Sequence, residues 1–258
     1  MDIKQCTIAI TGAGQGLGQM MAITLAQAGA DLALIDVNEQ GLLDTQKQCQ
    51  MLSAKTLTYC VDVTNEQEVE HAFAAIQADF GQLNGLINNA GVLRDGLLVK
   101  AATKDKHDPN RLQKMSLEQF NTVMAVNVTG TFLCGREAAA AMMTLGCQGV
   151  IINISSVARA GNIGQTNYAA SKAAVATMAV GWAKELARYG IRAAAIAPGV
   201  VHTEMANQLK PEAIARLKSM IPLGRIGDAS EIAHAVKYII ENEYFTGRVL
   251  EVDGGMRM

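Results

Sequence analysis

The sequence predicts a doubly wound α/β fold: a parallel sheet with helices on both faces, in a single domain. Three observations carry this expectation. Short β-branched runs alternate with longer amphipathic stretches along the chain. The strand candidates are continuous apolar runs, the pattern of strands covered on both faces. A glycine-rich turn, Gly12-Ala13-Gly14-Gln15-Gly16-Leu17-Gly18, falls between the first strand and the first helix. Repeated βα units of this kind build parallel sheets with crossover helices.

Taken in order, Thr7 to Ile10 reads as a strand, followed by the glycine-rich turn and a helix over about 16–28. Asp31 to Ile35 is the second strand, with a helix over about 38–52. Thr56 to Val61 is the third, with a helix over about 65–79. Gly85 to Ile87 is the fourth. A polar, basic-leaning stretch from Lys100 to Lys114 reads as an irregular surface loop, and one long helix is expected over about 116–144. Val150 to Ile154 is the fifth strand, with a helix over about 166–188. Ile191 to Ala197 is the sixth, followed by helices over about 204–219 and 228–241. Arg248 to Val252 closes the sheet as a seventh strand.

Composition narrows what such a fold can do. Of 258 residues, 50% are hydrophobic and 18% charged, too apolar for a disordered chain. Length alone allows about 1.7 domains. No proline- or serine-rich linker divides the chain, which carries four prolines, so one domain spanning residues 1–258 is expected. Aromatics are only 4% against 24 glycines, so the core must be aliphatic and closely packed. The net charge of −2 leaves no basic stripe to neutralise a phosphate backbone, so no nucleic-acid partner is expected. No apolar run approaches a membrane span of about 20 residues. The segment Met1 to Cys6 lacks the basic head and apolar core of a secretory leader, and the five cysteines have no Cys-x-x-Cys spacing. Both fit free thiols in a reducing cytoplasm. Four scattered histidines offer no metal-ligand spacing, so no metal is expected.

The glycine-rich turn suits a dinucleotide. Gly12, Gly16 and Gly18 allow a tight turn and a close backbone approach, with Gln15 and Leu17 between them, and the helix N-terminus faces a pyrophosphate. Asp36 ends the second strand. A carboxylate there accepts from an adenosine ribose and repels a 2′-phosphate, and no Arg or Lys follows in Val37-Asn38-Glu39. NAD(H) is therefore expected over NADP(H). Asp36 could instead cap the next helix, although Asn38 is also placed to do so. Asp62-Val63 ends the third strand, where an adenine would lie, and Asn88-Asn89-Ala90-Gly91 ends the fourth.

Tyr168 and Lys172 stand four apart on one helix face, where an ammonium favours phenolate and lowers the tyrosine pKa. Alone, such a pair is often just a solvated surface contact. Here Ser155-Ser156 ends the strand just upstream, where a hydroxyl can reach a substrate carbonyl. Asn127 sits within the preceding long helix, an unfavourable place for asparagine. It would either cap a kink or position a water for proton relay.

In this order the glycine-rich turn from Thr11, Asn88 to Gly91, Asn127, the serine pair, Tyr168-x-x-x-Lys172 and Pro198-Gly199 resemble the classical short-chain dehydrogenases/reductases over nearly the whole chain. The resemblance implies a seven-stranded Rossmann sheet, usually in a homotetramer. It implies Tyr168 as general acid/base, Lys172 as its electrostatic partner and ribose ligand, a serine polarising the carbonyl, and Asn127 supporting a water relay. Pro198, Gly199, Val201 and Thr203 match the stretch bordering the nicotinamide. Counting back 13 residues from Tyr168, the family's usual spacing, gives Ser155. Aligning the strand Ile151 to Ile154 gives Ser156, which is preferred because loops absorb deletions.

Within the family, the segments 88–98, 161–168, 222–227 and 252–256 resemble 3-oxoacyl-acyl carrier protein reductases, a group that typically uses NADPH. With Asp36, the expectation is NAD(H)-linked reduction of a 3-oxoacyl thioester on acyl carrier protein or coenzyme A. Arg94, Lys100, Lys104, Lys106, Arg111 and Lys114 could meet an acidic carrier, or simply be solvated. The alternatives are an NAD-dependent dehydrogenase of a sugar, polyol or other small secondary alcohol, and a non-catalytic nucleotide-binding regulator. Substrate choice would fall to loops at about 92–115 and 200–220.

Overall fold

In the computed structural model, which describes residues 1–52, 54–101, 112–202 and 211–257, strands and helices alternate as expected. The elements are β1 (Thr7–Thr11), α1 (Gly16–Gln27), β2 (Asp31–Asp36), α2 (Glu39–Gln50), β3 (Thr56–Cys60), α3 (Glu66–Phe80) and β4 (Gly85–Asn88). Then come β5 (Val99–Ala101), β6 (Leu112–Lys114), α4 (Leu117–Met124), α5 (Thr131–Thr144), β7 (Gly149–Ile154) and α6 (Thr166–Leu186). The chain continues with β8 (Ile191–Pro198), α7 (Pro211–Ser219), α8 (Ala229–Glu241) and β9 (Val249–Val252).

Seven of these strands form one sheet in the order β3-β2-β1-β4-β7-β8-β9. Every pairing in it is parallel, for example Thr11 with Ile35, Ile87 with Ile152 and Pro198 with Val252. This is the expected doubly wound sheet. Alternate residues feed two cores. Ile8, Ile10, Leu32, Leu34, Ile152 and Ile196 face α1 and α8, where Met21, Leu25, Val236 and Ile239 meet them. Ala9, Ala33, Leu86, Ile151 and Ala193 face the other way, onto Phe73, Ile76, Leu133 and Met142. Small residues on that second face let the helices pack close: a methyl group on Gly135 would overlap the Trp182 ring. Arg192 on β8 closes the C-terminus of α8 by donating to the carbonyls of Ile239, Ile240, Asn242 and Phe245 at 2.8–3.3 Å.

Two expectations need correction. The helix over 116–144 is not continuous: a π-helical turn, Ala125–Gly130, separates α4 from α5. The stretch from Lys100 to Lys114 is not irregular at its ends. β5 and β6 pair there as an antiparallel ribbon, Val99 with Lys114 and Ala101 with Leu112. Lys104, Lys106 and Arg111 lie outside the described residues, as does Thr203. Of the helix expected over 204–219, the described part begins at Pro211. No helix among the described residues is long and apolar enough to cross a membrane.

Candidate active site

Helices leave β1 and β4 toward opposite faces of the sheet, so a crevice opens beyond the C-terminal ends of these strands. Ligands of doubly wound sheets bind at this switch point. The glycine-rich turn and Asn89 form its floor. Gly12 has φ +64°, and a methyl group there would stand 2.9 Å from the Ala90 Cα. Gly18 lies under Gly12, with no room for a Cβ below the Gly12 carbonyl. Asn89 ties the turn to β4 by donating Nδ2 to the carbonyls of Thr11 and Gly12 at 3.1 and 3.0 Å. In return the Thr11 hydroxyl accepts from the Asn89 and Ala90 N–H groups at 3.0 and 3.1 Å. The Thr45 hydroxyl, fully buried on α2, donates to the Ala13 carbonyl at 3.0 Å.

Whether a dinucleotide fits is read from α1 and Asp36. Helices α2, α3 and α4 carry Glu39, Glu66 with Glu68, and Glu118 in their first turns. Helix α1 carries no acidic residue there, and Gln15 at its N-cap makes no side-chain capping bond. Gly16, at φ +57°, has open space where a Cβ would point. An uncompensated helix dipole behind an open glycine cradle suits a pyrophosphate. Asp36 is half-buried at the end of β2. It accepts from Gly14 N–H through Oδ2 at 2.9 Å and from Asn38 N–H through Oδ1 at 3.0 Å. The cap of α2 is Asn38, which accepts from Gly41 N–H at 3.1 Å, so Asp36 is not the helix cap. Its carboxylate stays at the rim of the turn, with lone pairs left for a ribose. Asp62 is exposed and accepts from Thr64, and Val63 is buried against Gly130.

The π-helical turn explains Asn127. Its side chain accepts from Val92 N–H at 2.8 Å and donates to the Val92 carbonyl at 3.2 Å and to the Ser171 hydroxyl at 3.0 Å. These bonds offset an unusual helical turn and join the loop after β4 to α6. Gly91 lies between: a methyl group on it would sit 3.3 Å from Asn127 Oδ1 and 3.6 Å from Lys172 Nζ.

The two serines part company. The Ser155 hydroxyl is buried and donates to the Lys172 carbonyl at 2.7 Å, so it serves packing between β7 and α6. Ser156 is half-buried and accepts from Ala158 N–H at 3.1 Å, and its hydroxyl lies near enough to the Tyr168 phenol to favour the ionised form. Tyr168 lies in the first turn of α6, and Lys172 Nζ stands 5.5 Å from its ring centroid. The ammonium is buried and donates to the Ile154 carbonyl at 2.8 Å. Burial brings Lys172 down from 10.5 to about 8. The expectation that Lys172 lowers the tyrosine is not met in the net. Burial raises the Tyr168 phenol above its usual value, the Ser156 hydrogen bond pulls it back, and the Asp95 carboxylate raises it again. Desolvation wins because the phenolate would lose hydration that the nearby Ser156 hydroxyl does not replace.

On the far wall, Pro198 ends β8. Gly199 donates its N–H to the Val252 carbonyl at 2.9 Å and abuts the Asp253 backbone, 2.7 Å from where its Cβ would be. Val201 bridges to Gly227. Several supporting roles escape a sequence reading. Ser171, Thr11 and Thr45 hold the machinery from behind, and Asp95, Gln165, Asn167 and Gln119 knit the loop after β4 to the start of α6. Asn167 did offer a signal, as an asparagine in a first helical turn; its Oδ1 accepts from Tyr168 N–H at 2.9 Å. Among the described residues, no cluster of three or more His, Cys, Asp or Glu could hold a metal ion.

The fold and crevice define a Rossmann-type dehydrogenase. A family model described as "Enoyl-(Acyl carrier protein) reductase" matches residues 12–257. The chain belongs to the short-chain dehydrogenase/reductase family. It is 36% identical over 259 residues to the 3-oxoacyl-[acyl-carrier-protein] reductase FabG of Thermotoga maritima, covering 99% of this chain and 98% of that one. It is 38% identical to a 3-oxoacyl-[acyl-carrier-protein] reductase of Homo sapiens, covering 97% of each. It is 33% identical to a (3R)-3-hydroxyacyl-CoA dehydrogenase of Canis lupus familiaris, covering 100% of this chain and 98% of that one. Among solved structures, a short-chain type dehydrogenase/reductase from Mycobacterium marinum superposes with TM-score 0.83 at 30% identity, covering 98% of this chain and 96% of that one. The protein is accordingly an oxidoreductase of the ketone/secondary-alcohol class, similar to 3-oxoacyl-acyl carrier protein reductases, and the family's cofactor is a nicotinamide dinucleotide.

Proposed function

We propose that the protein reduces a 3-oxoacyl thioester, on coenzyme A or acyl carrier protein, to the 3-hydroxyacyl thioester with NADH. The observation that carries this reading is the grouping of Ser156, Tyr168 and Lys172 beside the glycine cradle, with Asp36 at its rim. When bound, a nicotinamide dinucleotide supplies or takes up the hydride. The cradle of Gly12, Gln15, Gly16, Leu17 and Gly18 would hold its pyrophosphate, Asp36 its adenosine ribose, and Asp62 and Val63 would border the adenine. Asn89, Ala90, Gly91, Pro198, Gly199, Val201 and Thr203 would border the nicotinamide half.

Tyr168 moves the proton. Its raised pKa keeps the phenol protonated at neutral pH, the form that donates to a ketone oxygen during reduction. Ser156 donates to the same oxygen and holds the phenol in line. Lys172, still mostly cationic at neutral pH with a pKa near 8, steadies the phenolate left behind and can meet a ribose hydroxyl. Asn127, held by Val92 and Ser171, fixes the wall beside Lys172 through which a replacement proton can pass.

Exposed Leu97, Leu98 and Val99, with Arg94, Lys100 and Lys114, give the loop after β4 an apolar and basic surface suited to an acyl chain and an acidic carrier or phosphopantetheine phosphate. Exposed Phe132 and Met143 line a cleft of about 460 Å³ between α5 and α6, which supports assembly with further copies of the chain as a homotetramer. The test is oxidation of NADH and NADPH with acetoacetyl-coenzyme A, acyl-carrier thioesters, simple ketones and ketosugars. Turnover of thioesters with NADH supports the reading. A preference for ketosugars or simple ketones replaces it with a small-alcohol dehydrogenase, and no turnover with any ketone points to a nucleotide-binding regulator.

A further inference from the structure

We propose that Asp95 and Gln165 form a clasp across the mouth of the site, a positioning device for Tyr168 and the ketone substrate. This rests on the reductase reading above. Gln165 donates Nε2 to Asp95 Oδ2 at 2.9 Å, and its Oε1 accepts from Asn162 Nδ2 at 2.9 Å, so the amide is held at both ends. The backbone seals the same contact: Gly96 N–H donates to the Gly164 carbonyl at 2.8 Å, and Gly96 bridges to Gln165. From α4, Gln119 donates Nε2 to the carbonyls of Arg94 and Asp95 at 2.7 and 3.0 Å. Two segments far apart in sequence, the one leaving β4 and the one entering α6, thereby become a single wall.

Gln165 is the N-cap residue of α6, yet it makes no side-chain capping bond to its own helix. A side chain that could close its own helix is committed across the mouth instead, three residues before Tyr168. That exchange has no evident folding advantage, because one exposed polar hydrogen bond adds little to stability. Its position does have a chemical consequence. Asp95 from the β4 loop and Lys172 from α6 are charges set around the Tyr168 phenol, with the Ser156 hydroxyl beside it. Leu97 and Ile163, both exposed, adjoin the two bridging glycines and make an apolar lip on either side of the clasp.

The full-length protein tests this with Gln165→Met, Asp95→Ala and the double variant, assayed with acetoacetyl-coenzyme A and NADH. Each single variant is expected to lower kcat/KM for the thioester about tenfold, with the NADH Kd within twofold of wild type and an unchanged Tm. The double variant should be no worse than the poorer single, as for two halves of one unit. Asp95→Asn, whose amide oxygen can still accept from Gln165, should recover most of the loss. Single variants within twofold of wild type, losses that multiply in the double, or equal weakening of NADH binding would overturn the clasp. If wild type itself turns over no ketone, the reductase reading fails separately. Amide hydrogen exchange then decides the clasp: faster exchange of residues 94–98 and of the first turn of α6 in Gln165→Met supports it, and unchanged exchange overturns it.

Discussion

The Ser155 hydroxyl donates to the backbone carbonyl of Lys172 at 2.7 Å, which commits this serine to holding α6 against β7. Its neighbour Ser156 makes no such bond to Lys172, and its hydroxyl lies close enough to the Tyr168 phenol to pull the phenol's pKa down. The two alanine substitutions should therefore fail differently. Ser156→Ala is expected to lower kcat about 100-fold, the scale for losing a donor aimed at a developing oxyanion, with little change in unfolding free energy. Ser155→Ala leaves the buried Lys172 carbonyl without that donor and should cost about 1–3 kcal/mol of stability. Steady-state kinetics and denaturant melts on both variants separate the roles; equal rate losses would show that the serines are not so divided.

Lys172 makes stability depend on pH. Burial lowers it from 10.5 to about 8, so between those values the unfolded chain binds the proton more tightly than the folded one. Stability then rises with pH across that window, and this contribution is absent below it. Lys172→Met removes the group. Its stability advantage over wild type should shrink by about 3 kcal/mol between pH 8 and pH 10.5. Urea melts of both proteins across that range give the difference directly, and a flat difference would mean the ammonium is better solvated than its surroundings indicate.

Asp36 ties cofactor choice to the shape of the turn. Wild type should prefer NADH, and Asp36→Arg should reverse the preference by supplying a cation for a 2′-phosphate. Asp36→Ala should also relax the choice, but it removes the acceptor for the Gly14 and Asn38 N–H groups and so should weaken both dinucleotides as well. Asp36→Asn keeps an acceptor and separates the two effects. Titration of NADH and NADPH against the three variants checks this; a wild type that prefers NADPH refutes the ribose argument.

Arg192 offers a contrast away from the chemistry. Its guanidinium donates to four carbonyls at the end of α8, and Arg192→Met strands several of them. A loss of about 3 kcal/mol in unfolding free energy is expected, with kcat and both KM values unchanged at temperatures where the variant stays folded. Altered kinetics in the folded variant would mean that α8 reaches the site through β8.

Regular elements and the glycine-rich turn were legible in the sequence because their signals are local. The apolar runs of β1, β2, β4, β7 and β8 and the Gly12–Gly18 turn each state their conformation within a few residues. The π-helical turn at Asn127 was not legible. The single wider turn leaves the apolar period almost intact, and the bonds that hold it come from Val92 and Ser171, far away in sequence. Nor was the ribbon of β5 and β6, whose three-residue strands are exposed along their length and so lack an apolar period. The ambiguity between Ser155 and Ser156 had the same origin, since a one-residue deletion in the loop before Tyr168 leaves both counts plausible and only tertiary contact distinguishes them. The sign of the Tyr168 shift likewise depended on burial, which spacing along a helix does not report.

The account turns on Tyr168 as the proton donor. Tyr168→Phe removes one oxygen and leaves the packing of α6 in place, so the variant is expected to bind NADH with unchanged Kd and to lose thioester reduction by at least about 1,000-fold. Both quantities come from one sample, by fluorescence titration followed by single-turnover assay. Intact NADH binding with abolished turnover is the predicted result, and turnover at or near the wild-type rate would contradict it.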